Sequence, residues 1–150
     1  MEDTMPSSLF LIALTLGGFA LATFIHFKKK QEIPLVCPIV GHSCDPVVHS
    51  DYSRLLGIPL EILGMFYYGI IGIAYIALAV TPDLGSSVLS SLLFFLSLLA
   101  LIFSSYLTAV QAFVLRQWCT WCLISALLCT LIFLTELSLS GITLSSLFAF

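Results

Sequence analysis

The stretch WCTWC, residues 118–122, stands between two long apolar runs and carries two cysteines, Cys119 and Cys122. Each run is long enough to cross a membrane, so the pair is predicted to lie where two membrane helices meet water. If Thr120 caps the helix that follows this stretch, Cys122 falls in the first turn of that helix, where free backbone N–H groups favour a thiolate. A thiolate at the edge of an apolar bundle is suited to react with a small hydrophobic electron acceptor.

The composition places the chain in a membrane. Of its 150 residues, 60% are hydrophobic and only 9% are charged. Soluble domains carry about 25% charged residues, so this chain cannot cover a water-facing surface. There is no basic stripe of the kind that binds nucleic acid, and we expect no such partner. The acidic N-terminus lacks the basic region of a secretory signal, so the first apolar run is expected to be a retained helix.

Four charge-poor intervals are each long enough to cross the ~30 Å hydrocarbon core as a helix. They lie at about residues 7–27, 60–80, 88–115 and 120–139. We therefore expect an all-α integral membrane fold, a bundle of four transmembrane helices, with residues 1–150 as one membrane domain. Four spans put both chain ends on one side of the membrane, and they put the loop of residues 28–57 on the other side with the C-x-x-C.

That loop is the one long polar connection, and long loops in compact proteins are usually functional. Asp45 and Pro46 suit the start of a helix, and Gly57 suits the position after its last turn. We expect a short amphipathic helix here, lying across one end of the bundle.

The loop also carries a second cysteine pair, Cys37 and Cys44. Two dithiols within reach can pass electrons by thiol–disulfide exchange, through mixed disulfides. A zinc or copper site is the alternative, because His42 and His49 lie in the same loop and a C-x-x-C can be half of a tetrahedral site. We favour redox chemistry, since the C-x-x-C opens a helix. The fifth cysteine, Cys129, is interpreted as a small buried hydrophobe.

Together these features resemble the vitamin K epoxide reductase family in its short, single-module form. Members carry a loop cysteine pair, a hydroxyl residue six positions after the second loop cysteine, and a C-x-x-C that opens the last core helix. The resemblance covers essentially the whole chain from the first span to the fourth. Its matching positions are Cys37, Cys44, Asp45, Ser50, Leu56-Gly57-Ile58-Pro59, Leu63-Gly64, Trp118-Cys119, Trp121-Cys122 and Ser125-Ala126.

The resemblance implies a thiol oxidoreductase that relays electrons to a quinone (menaquinone, ubiquinone or a vitamin K-like quinone) and supports disulfide formation. Carried over by position, Cys122 would react with the quinone and Cys119 would be its exchange partner. Cys44 would exchange with Cys119, and Cys37 would face a thioredoxin-fold, DsbA-like protein. Ser50 would support the site. Prokaryotic members often carry a fused thioredoxin-like domain that this chain lacks, so the partner is expected to be a separate protein.

The implied quinone pocket comprises Leu60, Leu63, Tyr67, Leu107, Gln111 and Ala126. Leu60 replaces an asparagine of the animal enzymes, and Ala126 replaces a tyrosine, so we expect quinone reduction rather than epoxide reduction. Glu61 and Gln111 are candidates for orientation and protons, with Gln111 ~12 Å of helix before Cys119. The alternatives are that Glu61 only stabilises a helix N-terminus and that Gln111 only bonds a neighbouring helix.

Two rules disagree about the side of the membrane on which the cysteines lie. All five basic residues lie on the cysteine side: Lys28, Lys29, Lys30, Arg54 and Arg116. The positive-inside rule would put that side in the cytoplasm. Disulfide chemistry and the family resemblance favour an oxidising compartment such as the periplasm. We prefer the second, with Lys28 to Lys30 paired to lipid headgroups, and keep the inverted topology as the alternative.

Two other functions are compatible with parts of the sequence. A quinone-linked disulfide generator of the DsbB type also has four helices, but its C-x-x-C lies after the first span. A non-enzymatic membrane protein with a structural disulfide or a bound metal would not depend on Cys119 and Cys122 for any turnover.

Overall fold

The computed structural model describes residues 4–34, 38 and 45–139. Cys37, Cys44 and His42 lie outside the described residues, so their assigned roles stay predictions. The described helices are α1 (Thr4–Lys30), α2 (Asp45–Val48), α3 (Leu60–Val80), α4 (Ser87–Ala109) and α5 (Thr120–Leu139).

Four of these helices are long and apolar enough to cross a membrane: α1, α3, α4 with its extension to Leu115, and α5. Their outer faces carry large apolar side chains such as Phe66, Phe95 and Leu127, which suits contact with lipid. The predicted all-α, four-span membrane fold is thereby confirmed, and the predicted spans match the helices to within a few residues.

In the bundle, α1 packs against both α3 and α5, and α4 packs against α5. The core contains Leu11, Tyr68, Ile71 and Ile132, all nearly or fully buried. Gly18 of α1 is the close-approach point, because a Cβ added there would collide with the ring of Tyr68. A glycine at this position lets the tyrosine ring come close to the backbone of α1.

The short helix across the end of the bundle is present, but it is shorter than the sequence indicates. It ends at Val48, and a 3₁₀ turn over Asp51–Ser53 follows it. A two-residue antiparallel ladder then pairs Arg54–Leu55 with Ile58–Pro59. Leu56 and Gly57 both have positive φ, as the tight hairpin turn of type I′ requires. Gly57 therefore makes a hairpin turn, whereas the sequence pattern suggested the end of a helix.

The cysteine end of α4 departs from a regular helix. One π-helical turn, Val110–Leu115, continues it, and Arg116 then adopts a left-handed conformation. The backbone N–H of Gln117 returns to the Gln111 carbonyl at 3.2 Å. This reversal brings the WCTWC stretch back over the end of α4.

Candidate active site

Cys119 occupies the capping position of α5, since the helix begins at Thr120. Backbone N–H groups of Trp121 and Cys122 reach its sulfur, as does the Cys122 thiol. The hydrogen bond from the Cys122 thiol is the main cause that lowers the pKa of Cys119 below its ordinary value, and the backbone N–H groups add to it while burial opposes it. The sequence suggested these N–H groups would serve Cys122, but a capping side chain is the one that receives them.

Gln111 holds the C-x-x-C in place. Its side-chain oxygen Oε1 accepts the backbone N–H of Cys119 at 3.1 Å, and the amide is buried. The expected ~12 Å separation along a regular helix is wrong, because the π turn and the reversal at Arg116 fold the chain back. Gln111 therefore bonds the turn that carries the cysteines.

The two cysteines face different surroundings. Cys119 is fully buried, and it packs with Val47 and Val48 of α2. Cys122 lines a cavity, whereas Cys119 is not among the lining residues. Both are free thiols in the structure. The sulfur of Cys119 is therefore covered by α2, and the sulfur of Cys122 lies at the cavity wall.

The cavity lies inside the bundle with a volume of about 360 Å³. Its walls include side chains of α1, α3, α4 and α5, with the turns after α2 at one end. Five of the six residues assigned to the quinone pocket line it: Leu60, Leu63, Tyr67, Leu107 and Gln111. Leu99 also lines the cavity while its side chain is 64% exposed, so the cavity reaches the outer face of α4.

Ala126 is not among the lining residues. On α5 the cavity is lined by Cys122, Ser125 and Cys129, which are spaced by three and four residues and so share one face of the helix. Ala126 is one position further around, and the neighbouring Ser125 takes its place at the wall.

Ser50, assigned by the resemblance to support the site, lies beside the cavity. It lines the cavity, and its hydroxyl donates to the Val47 carbonyl at 2.8 Å. A hydroxyl that donates in this way keeps its lone pairs for a further donor.

A charged cluster lies next to Cys122. The sequence analysis names its Glu61 as a candidate for the site but does not pair it with Lys29. Lys29 and Glu61 pair at 3.2 Å, with side chains only 12% and 5% exposed. Lys29 also donates to the Ser53 hydroxyl at 3.4 Å, and His26 lies 3.8 Å from Glu61. Both charges of the pair act electrostatically on the Cys122 sulfur. Lys29 is therefore bound inside the protein, and its expected pairing with lipid headgroups is wrong.

A second polar group at the wall was missed by the sequence analysis. The Tyr68 hydroxyl lies 3.0 Å from the Ser125 hydroxyl and 3.4 Å from the Cys129 sulfur. Cys129 is buried, as expected, yet it also faces the cavity and a tyrosine hydroxyl. The spacing of Cys122, Ser125 and Cys129 on α5 was the available signal.

Among the residues that the structure describes, no group of three or more His, Cys, Asp or Glu side chains is placed to hold a metal ion. The metal alternative combined His49, Cys119 and Cys122 with Cys37, His42 and Cys44, and the last three lie outside that part of the chain.

The structure combines four apolar spans with a C-x-x-C whose Cys119 is buried and whose Cys122 lines an apolar cavity, and together with the comparisons below this places the protein among the membrane thiol oxidoreductases. The family model of the vitamin K epoxide reductase family matches residues 9–137. The chain belongs to this family.

A curated relative supports the class. The chain is 33% identical over 48 residues to the thiol-disulfide oxidoreductase LTO1 of Arabidopsis thaliana. The match covers 32% of this chain and only 13% of the relative, so this chain spans a small part of that protein's length.

Proposed function

We propose that this protein passes electrons from a thioredoxin-fold dithiol protein through Cys37/Cys44 and Cys119/Cys122 to a quinone, and that it thereby supports disulfide formation. The observation that carries the proposal is the position of Cys122 at the wall of the cavity, with Cys119 turned away under α2. One sulfur faces a space for an apolar acceptor and the other faces the loop that carries the second pair.

The protein-facing half of the relay is assigned to the loop. Cys44 directly precedes Asp45, the first residue of α2, and Val47 and Val48 of that helix pack on Cys119. We infer from this place in the sequence that Cys44 exchanges with Cys119 through a mixed disulfide. The lowered pKa of Cys119 favours the thiolate that performs such an exchange. Because α2 covers Cys119, exchange requires α2 to shift.

The quinone-facing half is assigned to the cavity. About 360 Å³ falls within the range of small-molecule sites, and the lining is mostly apolar with a few polar groups, as such sites usually are. A bound quinone supplies a two-electron acceptor that also takes up two protons. Leu60, Leu63 and Leu107 would hold its apolar parts, and the side-chain nitrogen of Gln111 could donate to a quinone carbonyl. Ser50, whose hydroxyl already donates to Val47, could accept a hydrogen bond from the quinol product.

Glu61 and Lys29 are assigned a role beside the thiol of Cys122. Glu61 lines the cavity and Lys29 is its ion-pair partner. Glu61 is the acidic group that can take the Cys122 proton as the disulfide forms. Lys29, 3.2 Å from that carboxylate, would hold it in position beside Cys122. The sequence analysis also names Glu61 as a candidate for proton transfer.

We assign the cysteine face to the oxidising, extracytoplasmic side of the membrane. Lys29 is paired with Glu61, and Lys28 lies 5.8 Å over the ring of Phe24. These contacts do not remove the lysines from the positive-inside count, which favours the cytoplasm; the assignment is supported by disulfide chemistry, which requires an oxidising compartment.

The test is anaerobic quinol formation by the purified protein in detergent, with a reduced thioredoxin-fold dithiol protein as donor and menaquinone or ubiquinone as acceptor. The parent protein should form quinol continuously, and Cys122→Ser should form none. Thr130→Ser is the matched control, because its hydroxyl bonds the carbonyl of Ala126 in its own helix. Equal turnover by the parent protein and Cys122→Ser would overturn the proposal. A structural disulfide predicts only a loss of stability, typically ~2–4 kcal/mol.

A further inference from the structure

A carboxyl group is buried in the half of the bundle away from the cysteines, and the relay described above does not use it. Glu136 is only 4% exposed and lies three residues before the end of α5. The Tyr75 hydroxyl donates to its oxygen Oε1 at 3.1 Å. Its other oxygen, Oε2, is buried without a hydrogen-bond partner among the described residues. An ionisable group inside a membrane bundle is costly and marks a functional site by default.

A line of hydroxyl groups leads from this carboxyl to the cavity. Ser97 of α4 is fully buried and lies beside the Glu136 carboxyl. The Tyr67 hydroxyl donates to the Ser97 hydroxyl at 3.4 Å. Tyr67 in turn lines the cavity, whereas Ser97 and Glu136 lie behind its wall. The order from the far end of the bundle is therefore Glu136, Ser97, Tyr67 and then the cavity.

The groups facing Glu136 come from each element packed around it. Tyr75 and Tyr67 belong to α3, Ser97 belongs to α4, and Cys129 is the neighbouring titratable group on α5 itself. Helix α1 has no ionisable residue between positions 4 and 25. None of these groups is a cation, so no described residue that faces Glu136 can act as a counter-ion to its carboxylate.

We propose that Glu136, Ser97 and Tyr67 form a proton path that delivers a proton to the deep end of the cavity from the membrane face opposite the cysteines. This inference rests on the proposed function, because it assigns a source for a proton that quinone reduction consumes. Hydroxyl protons rotate, so Ser97 and Tyr67 can each accept a proton from one side and donate one to the other.

The proton balance shows why such a path is useful. Cys119 and Cys122 form one S–S bond and give up two electrons, and the quinone takes up two electrons and two protons to become quinol. When Cys119 enters as a thiolate, the pair brings only the proton of Cys122, which Glu61 takes up and passes on to the quinone. The second proton leaves the Tyr67 hydroxyl, which is refilled through Ser97 from Glu136. The Glu136 carboxylate then regains a proton from water beyond the end of α5.

The competing explanation is that Glu136 only ties α5 to α3 through Tyr75. A structural carboxyl does not need to exchange its proton with water, and its loss should lower stability without changing how the rate depends on pH. The two explanations therefore differ in proton exchange and in pH profile.

The first test uses infrared spectroscopy on the purified protein in detergent, without quinone. The parent protein should show a protonated carboxyl band that is absent from Glu136→Gln and that shifts when water is replaced by D₂O. A band that does not exchange would overturn the path, whatever the activity of the protein.

The second test compares pH profiles of quinol formation for the parent protein, Glu136→Gln and Ser97→Ala. Both variants should be slowed on the order of 10²-fold towards alkaline pH, where protons from bulk water are scarce. Thr135→Val is the control, because that hydroxyl bonds the carbonyl of Leu131 in its own helix, and it should keep the parent profile.

Parent rates and an unchanged pH profile in Glu136→Gln and Ser97→Ala would overturn the path while leaving the proposed function intact. A parent protein that forms no quinol would instead overturn the proposed function, and the infrared exchange would still decide whether Glu136 handles protons.

Discussion

Replacing Lys29 by methionine should cost much stability, and most of that cost should disappear when Glu61 is replaced as well. The two charges lie 3.2 Å apart and are almost fully buried. At an effective dielectric constant of about 20, their attraction is roughly 5 kcal/mol. Removing one partner of a buried pair costs ~3–5 kcal/mol, because the other charge stays buried without compensation.

We expect Lys29→Met and Glu61→Gln each to lose ~3–5 kcal/mol, and the double variant to lose at least ~2 kcal/mol less than the sum. The assay is equilibrium unfolding in mixed detergent micelles, followed by the fluorescence of Trp118 and Trp121. Lys30→Met is the control: it removes an exposed charge from the same helical turn and should change stability by less than ~0.5 kcal/mol.

Two results would refute this reasoning. In the first, the double variant loses the full sum of the single losses, which would mean that the two side chains act independently. In the second, Lys29→Met behaves like Lys30→Met, which would mean that Lys29 is solvated and does not compensate Glu61.

Three further predictions concern the C-x-x-C and the bundle. Gln111→Leu leaves the buried N–H of Cys119 without an acceptor and should lower the free energy of unfolding by ~1–3 kcal/mol; unchanged denaturant unfolding would contradict the anchoring role. Gly18→Ala drives a methyl group into the Tyr68 ring and should cost ~1–3 kcal/mol in the same assay, whereas a neutral result would show that the helices separate freely. Cys122→Ala removes the main donor to the Cys119 sulfur, so the pKa of Cys119 should rise and its ultraviolet thiolate titration should move to higher pH; an unmoved titration would contradict the hydrogen bond.

The four spans were predictable because a membrane helix is marked by composition over about twenty residues. Leu60, Leu63 and Tyr67 were assigned to the pocket by the family resemblance, and they line one cavity because their spacing places them on one face of α3. The loop end of the bundle was less predictable. Leu56 takes a positive φ there beside Gly57, and a non-glycine residue in that conformation gives no sequence signal of its own.

Contacts between helices were the harder part of the site. The π turn and the left-handed Arg116 that bring Cys119 back to Gln111 depend on local backbone geometry rather than on residue pattern. Lys29 and Glu61 could have been paired from the sequence, since they lie at the cysteine-side ends of two consecutive antiparallel helices. The signal was that the two residues have opposite charges and lie at the same depth in the membrane.

The most direct test of the relay is a single turnover without any protein partner. The fully reduced protein is mixed anaerobically with one equivalent of quinone, free thiols are blocked with an alkylating reagent, and the disulfide is located by peptide mass spectrometry. We predict one quinol per protein and one disulfide, at Cys119–Cys122 or, after exchange, at Cys37–Cys44, with Cys129 alkylated. Quinol formed while Cys37, Cys44, Cys119 and Cys122 are all recovered as alkylated thiols would contradict the account.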